Sequence, residues 1–182
     1  MAYDVQPQDL ITIVPVSAAG EPSATTVQAT AGKLAGTLAF AEITVNGNTA
    51  SLTMTTASAY YQWTAGWTQD QAPVNAVTSL ATGSVLVNIA GTFVTLCMVN
   101  WSCNNTDGIR FGIFKNNSPI PDHIVATDVL TANKAVSSTI VGIDGAVVGD
   151  RYDLRVEDTT QGGSQVTVYN ANFSIFALTG AS

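Results

Sequence analysis

Charge is what this sequence has least of. Only 10% of its 182 residues are Asp, Glu, Lys or Arg, against roughly 25% in ordinary soluble domains. Six are basic and 13 acidic, a net charge of −7, and the basic ones are scattered from Lys33 to Arg155. Nucleic-acid binding depends on clustered Lys and Arg that neutralise phosphates, so DNA and RNA are not expected partners. No run approaches the ~20 apolar residues that a membrane helix needs, and no membrane partner is expected. The opening "MAYDVQPQDL" has neither the basic nor the apolar region of a secretion signal, which predicts a protein made in the cytoplasm.

Catalytic and metal-binding residue types are equally sparse. The single histidine, His123, has only Asp122 beside it, short of a hydrolytic triad or a zinc set, and is expected at a surface or an interface. Carboxylates pair only as Asp150 with Asp153 and Glu157 with Asp158. Each pair is either a calcium loop or a solvated turn. No glycine-rich loop leads into a helix that would cradle phosphate. The expectation is a protein that is not an enzyme and uses no cofactor and no metal. The two cysteines, Cys97 and Cys103, lie six residues apart. In an extended strand that spacing is roughly 20 Å, far beyond the ~7 Å limit for a disulfide, so two buried free thiols are expected.

What remains is β-rich material. Hydrophobic residues make up 46% of the chain, and 24 Thr, 13 Ser and 12 Asn supply the polar surface. Helical periodicity is absent apart from a weak turn signal near Ala31–Ala35. Residues 1–47 read as an extended arm with short strands, such as "LITIVPV", punctuated by Gly and Pro. Asn46-Gly47 between two β-prone runs predicts a hairpin and places the start of the main domain at residue 48. From there to residue 182, short strands recur every 10 to 15 residues, the spacing of an all-β sandwich or barrel. Asn116, Asn117 and Ser118 are turn formers, flanked by the strands "IRFGIFKN" and "IPDHIVATDV".

Two strands are apolar on both faces. "TFVTLCMVNW" carries Phe93, Cys97, Val99 and Trp101 on one side and Val94, Leu96 and Met98 on the other. In "NFSIFAL", Phe173 and Ile175 alternate with Phe176 and Leu178. A sandwich covers one face of each sheet, so the second apolar face needs either a neighbouring subunit or the chain's own arm. The aromatics Tyr60, Tyr61, Trp63 and Trp67 form either a platform for stacking sugars or core filling.

The ordered set Gly91 and Phe93, "FGIFKN" at 111–116, Gly142, Gly149-Asp150, Leu154 and Val156, and "NFSIFAL" at 172–178 resembles the complement and tumour-necrosis-factor type of jelly roll, above all the versions in bacteriophage virion proteins. The resemblance spans roughly residues 50–182. It implies a ten-stranded, two-sheet antiparallel jelly-roll sandwich that forms a homotrimer through its inner sheet. Asn117 stands where such proteins commonly have Gly, which leaves the turn type open.

On that basis the expected trimer contacts are Phe93, Leu96, Met98, Phe176 and Leu178, divided between core and interface. The expected function is a structural virion protein, a capsid decoration or cement trimer on the outer capsid surface that binds the major capsid protein. Its arm, through Leu10, Ile11, Ile13, Val14 and Val16, would grip the capsid. The alternative is the receptor-binding tip of a tail or head fibre, with Tyr60, Tyr61, Trp63 and Trp67 recognising host glycans.

Overall fold

The computed structural model describes Ile11–Ile13, Val27–Ala29 and residues 38–180. Every element among them is a strand. β1 (Ile11–Ile13) pairs antiparallel with β2 (Val27–Ala29) as a two-stranded sheet. The expected arm residues Leu10, Val14 and Val16, and the turn signal near residues 31–35, lie outside the described residues.

The remaining strands make two six-stranded sheets rather than ten strands in all. The inner sheet contains β3 (Phe40–Asn46), β4 (Ser51–Met54), β6 (Trp67–Thr68), β9 (Gly91–Cys103), β12 (Val136–Ala146) and β14 (Ser164–Gly180), in the order β12-β9-β14-β3-β6, with β4 also on β14. The outer sheet contains β5 (Tyr60–Gln62), β7 (Ala76–Ser79), β8 (Ser84–Val87), β10 (Gly108–Lys115), β11 (Ser118–Asp128) and β13 (Arg151–Asp158), in the order β11-β10-β13-β8-β7, with β5 on β13. All pairings are antiparallel.

Between the sheets, alternate residues of each strand interdigitate as the pleat requires. Phe93, Cys97, Trp101, Phe173 and Ile175 come from one sheet, and Phe111, Ile113, Leu154 and Val156 from the other. The Trp101 and Phe111 rings meet with centroids 5.2 Å apart, and the indole N–H of Trp101 donates to Ser138 Oγ at 3.0 Å. β9 stays extended through both Cys97 and Cys103, and both are buried free thiols. Burial pushes each thiol above its ordinary value.

Asn46-Gly47 is not a hairpin. β3 and β4 both pair with β14, at residues 170–176 and 164–167 respectively, so the chain runs on in one direction past the Asn-Gly. β14 is 17 residues long, enough to serve both segments. Its own register slips between Val168 and Asn170, and Asn48 fills the gap with a backbone N–H to Tyr169 O at 3.1 Å and a side-chain amide to Val168 O at 2.9 Å. Gly47, at φ 62°, supplies the kink. The sandwich therefore takes in Phe40–Asn46, which the sequence assigned to the arm.

The Asn116-Asn117 turn is a two-residue hairpin, with Lys115 opposite Ser118. Both asparagines have positive φ, 51° and 68°, as a type I′ turn demands. Asn tolerates this geometry where most residues do not. The Asn116 amide donates to Asp150 Oδ1 at 2.7 Å, and Asn117 Oδ1 accepts from Arg155 Nη2 at 2.6 Å.

Candidate functional site

The outward face of the inner sheet is built by strand register. Four rows of side chains cross it. Ile143, Val94, Phe176 and Phe40 form the first, and Val141, Leu96, Ser174 and Glu42 the second. Thr139, Met98, Asn172 and Thr44 form the third; Ser137, Asn100, Asn170 and Asn46 form the fourth. The face grades from apolar at one end to amide and hydroxyl at the other. Glu42 is the only charged residue in these rows, and its Oε2 accepts from Ser174 Oγ at 3.0 Å.

Much of the apolar end faces solvent. Val141 and Ile143 are 59% and 63% exposed, Met98 52%, Leu178 51% and Phe176 37%, while Leu96 and Val94 are partly covered. Beside Met98 an open cleft of about 270 Å³ is lined by Asn100, Ser137, Thr139, Asn170 and Asn172. Past the end of β12, Val147 and Val148 are also exposed, at 63% and 66%.

Of the residues expected at a subunit contact, Leu96, Met98, Phe176 and Leu178 share this face. Phe93 does not: it is fully buried between the sheets, because it has the same parity on β9 as Cys97 and Trp101. The sequence reading missed Val141, Ile143 and Phe40. In "TIVGIDGA" the inward positions are Ile140, Gly142, Asp144 and Ala146, and with Gly and Asp in the middle two the usual sense of the alternation is inverted around Val141 and Ile143. Phe40 lay across the wrongly placed domain boundary.

The aromatic cluster is dispersed. Trp63 and Trp67 are buried, and their indole N–H groups donate to Ala65 O at 2.8 Å and Trp63 O at 2.9 Å. A side-chain carbon on Gly83 would overlap the Trp67 indole, and Gly83 sits at φ 60°. Tyr61 packs partly into the core, and its hydroxyl accepts from the Thr56 N–H at 2.9 Å. Two of the four rings are therefore core, which corrects the glycan-platform expectation at Trp63 and Trp67.

Tyr60 lies on the outward face of the outer sheet, edge-on to Phe114 with centroids 4.7 Å apart. That face is charged and closed on itself. Arg155 grips the fully buried Asp153 at 2.6 and 3.2 Å and lies 4.5 Å above the Phe114 ring. Arg110 sits 3.6 Å from the buried Glu157. Burial and the neighbouring Glu157 carboxylate push Tyr60 up to about 12.

The paired carboxylates serve as turn locks and ion-pair partners. Asp150 accepts from Asn116 and from the Val147 N–H at 2.9 Å, and Asp158 Oδ1 accepts from the N–H groups of Thr160 and Gln161 at 3.0 and 3.3 Å. Among the described residues, no three His, Cys, Asp or Glu side chains converge as a metal set. His123 is 1% exposed and not a surface side chain.

No family model matches the sequence, and no curated protein matches it. Solved structures do match the fold. An Eiger TNF from S. frugiperda superposes with a TM-score of 0.56 at 16% identity, covering 79% of this chain and 96% of that one. Murine APRIL, crystallised at pH 5.0, gives 0.53 at 10% identity, with 78% and 99% covered. The chain has a TNF-like jelly-roll fold.

Proposed function

We propose that this chain is a structural protein that works as a homotrimer, its copies joined through the outward face of the inner sheet. Charge carries this reading. On a chain of net −7, copies that meet through the rows of this face bury exposed apolar surface and bring together the fewest like charges, since Glu42 is the one charged residue in them. A closed ring of identical subunits uses two different, complementary patches. The apolar sheet face offers one; the edge of β12 with Val147 and Val148 offers the other. The TNF-like fold and the resemblance to trimeric virion jelly rolls point the same way.

The trimer is read further as a decoration, or cement, protein on the outer surface of a bacteriophage capsid, bound to the major capsid protein. The β1–β2 ribbon supports this part. Its strands pair with each other. A two-stranded ribbon is marginal by itself in water, and among the described residues neither of its outer edges pairs with another strand, which suits strand addition to another protein. Three ribbons per trimer would hold the shell with avidity. The fibre-tip alternative loses the Trp63 and Trp67 platform it leaned on.

The test is binding to undecorated capsids against binding to host cells. The purified protein is expected to saturate capsids in multiples of three chains and to raise the temperature at which they rupture. Binding to cells but not to capsids would replace the cement reading with the receptor-binding one.

A further inference from the structure

β12 carries two exposed apolar residues of the proposed contact, Val141 and Ile143, and between them Gly142 faces inward. The space its side chain would fill is taken by His123 of β11: a carbon added to Gly142 would overlap Nε2 and Cε1 of the imidazole. The ring thus rests directly on the backbone of the contact strand. It is 1% exposed, and neither Nδ1 nor Nε2 has a hydrogen-bond partner among the described residues.

A buried neutral imidazole already pays for unmet polar atoms. An imidazolium at the same place would add a charge and a second unmet donor. The charged groups facing the ring are Asp122 from its own strand, Asp144 from β12 and Lys115 from β10. Asp144 is already engaged: Lys115 Nζ lies 2.8 Å from its Oδ2, and Tyr152 of β13 donates to the same oxygen at 2.7 Å. A protonated His123 must therefore either draw Asp144 out of that network or press β12 outward. Both act on β12, the first through the Asp144 side chain and the second through the Gly142 backbone, and β12 is the strand that presents Val141 and Ile143.

Burial holds the imidazole below its ordinary value and Lys115 adds to that, while the Asp144 and Asp122 carboxylates oppose it. With the folded value depressed, the opened state takes the proton first. The closed β11–β12 seam is fully stable above pH ~6.5 and weakens as pH falls from there toward the folded value.

We propose that His123 is an acid-operated latch, whose protonation loosens β12 and releases neighbouring copies from the inner-sheet face. This rests on the trimer reading above. Each pH unit below ~6.5 is expected to weaken assembly by up to about tenfold per chain, hence up to about a thousandfold for three.

Because His123 is the only histidine, NMR of protein labelled with ¹³C-histidine reports this ring alone. The titration from pH 8 to 4.5 is read beside the mass from sedimentation for the wild type, His123→Gln and His123→Phe. The wild type is expected to be a trimer at pH 8 with a neutral ring, and to dissociate in the same step in which the ring protonates. At least one variant that is trimeric at pH 8 is expected to stay assembled through that window. A trimer whose ring protonates without a change of mass overturns the latch alone, as do pH-8 trimers of the variants that dissociate at the wild-type pH. A wild-type monomer at pH 8 overturns the trimer reading, and the latch with it.

Discussion

The two outward faces of this sandwich solve the same problem in opposite ways. Each sheet has one face in the core and one left over. On the outer sheet, the leftover face of β13 carries Asp153, Arg155 and Glu157, and it closes over itself: Arg155 binds Asp153 and covers Phe114, and Arg110 reaches Glu157. On the inner sheet, the leftover face of β9, β12 and β14 carries Val94, Leu96, Met98, Val141, Ile143, Phe176 and Leu178, and among the described residues all but the partly covered Val94 and Leu96 stand exposed. A face finished with ion pairs to buried carboxylates is complete in a single chain. A face of half-exposed aliphatic and aromatic side chains is complete only when apolar surface comes from elsewhere.

Substitutions that reverse this difference should have the largest effects. Leu96→Asp or Phe176→Asp places a charge in every subunit contact and, at a cost of several kcal/mol per buried unpaired charge, should reduce the particle to single chains by light scattering. The protomer should stay folded, because both side chains point away from the core. Next is Arg155→Ala, which strands the fully buried Asp153 carboxylate. It should lower unfolding stability by about 3 kcal/mol, read from urea titration, without changing subunit number. An Arg155→Ala protein that unfolds like wild type would mean that the outer face is not held by this pair.

The two faces also differ in how far the sequence announces them. The double-sided strands at 93–101 and 173–178 revealed the inner sheet and its spare apolar face directly, since pleat parity sorts Leu96 and Met98 from Cys97 and Trp101. Phe93 could be assigned only by fixing which parity faces inward. The sequence hid Val141 and Ile143 because Gly142, a residue with no side chain, holds the core position, and what fills that position is His123 from a different strand. Asn46-Gly47 misled for a related reason. Whether such a pair closes a hairpin or kinks a continuing strand depends on the length of β14, over a hundred residues away. In "RYDLRVED" the alternation of Asp153, Arg155 and Glu157 with Tyr152, Leu154 and Val156 can be read from the sequence, but the closure of that ladder by Arg110 and Tyr60 depends on sheet order, which local pattern does not encode.

Smaller effects sharpen the comparison at its margins. Arg110→Ala removes a half-exposed partner of Glu157, and solvent screening limits its cost to about 1 kcal/mol or less, measured by the same urea titration. A larger loss would show that Glu157 relies on Arg110 as heavily as Asp153 relies on Arg155. Glu42→Gln, at the one charged position in the apolar rows, should leave folding stability unchanged. It should strengthen assembly by no more than a few-fold at low salt, with the gain vanishing as ionic strength rises.

The most direct test is the mass of the native protein in dilute solution at pH 8, by sedimentation equilibrium. Three times the chain mass, persisting to low micromolar concentration and collapsing to one chain in Leu96→Asp, is the predicted result. A wild-type protein that sediments as a single chain with Val141, Ile143 and Phe176 open to water would contradict the account.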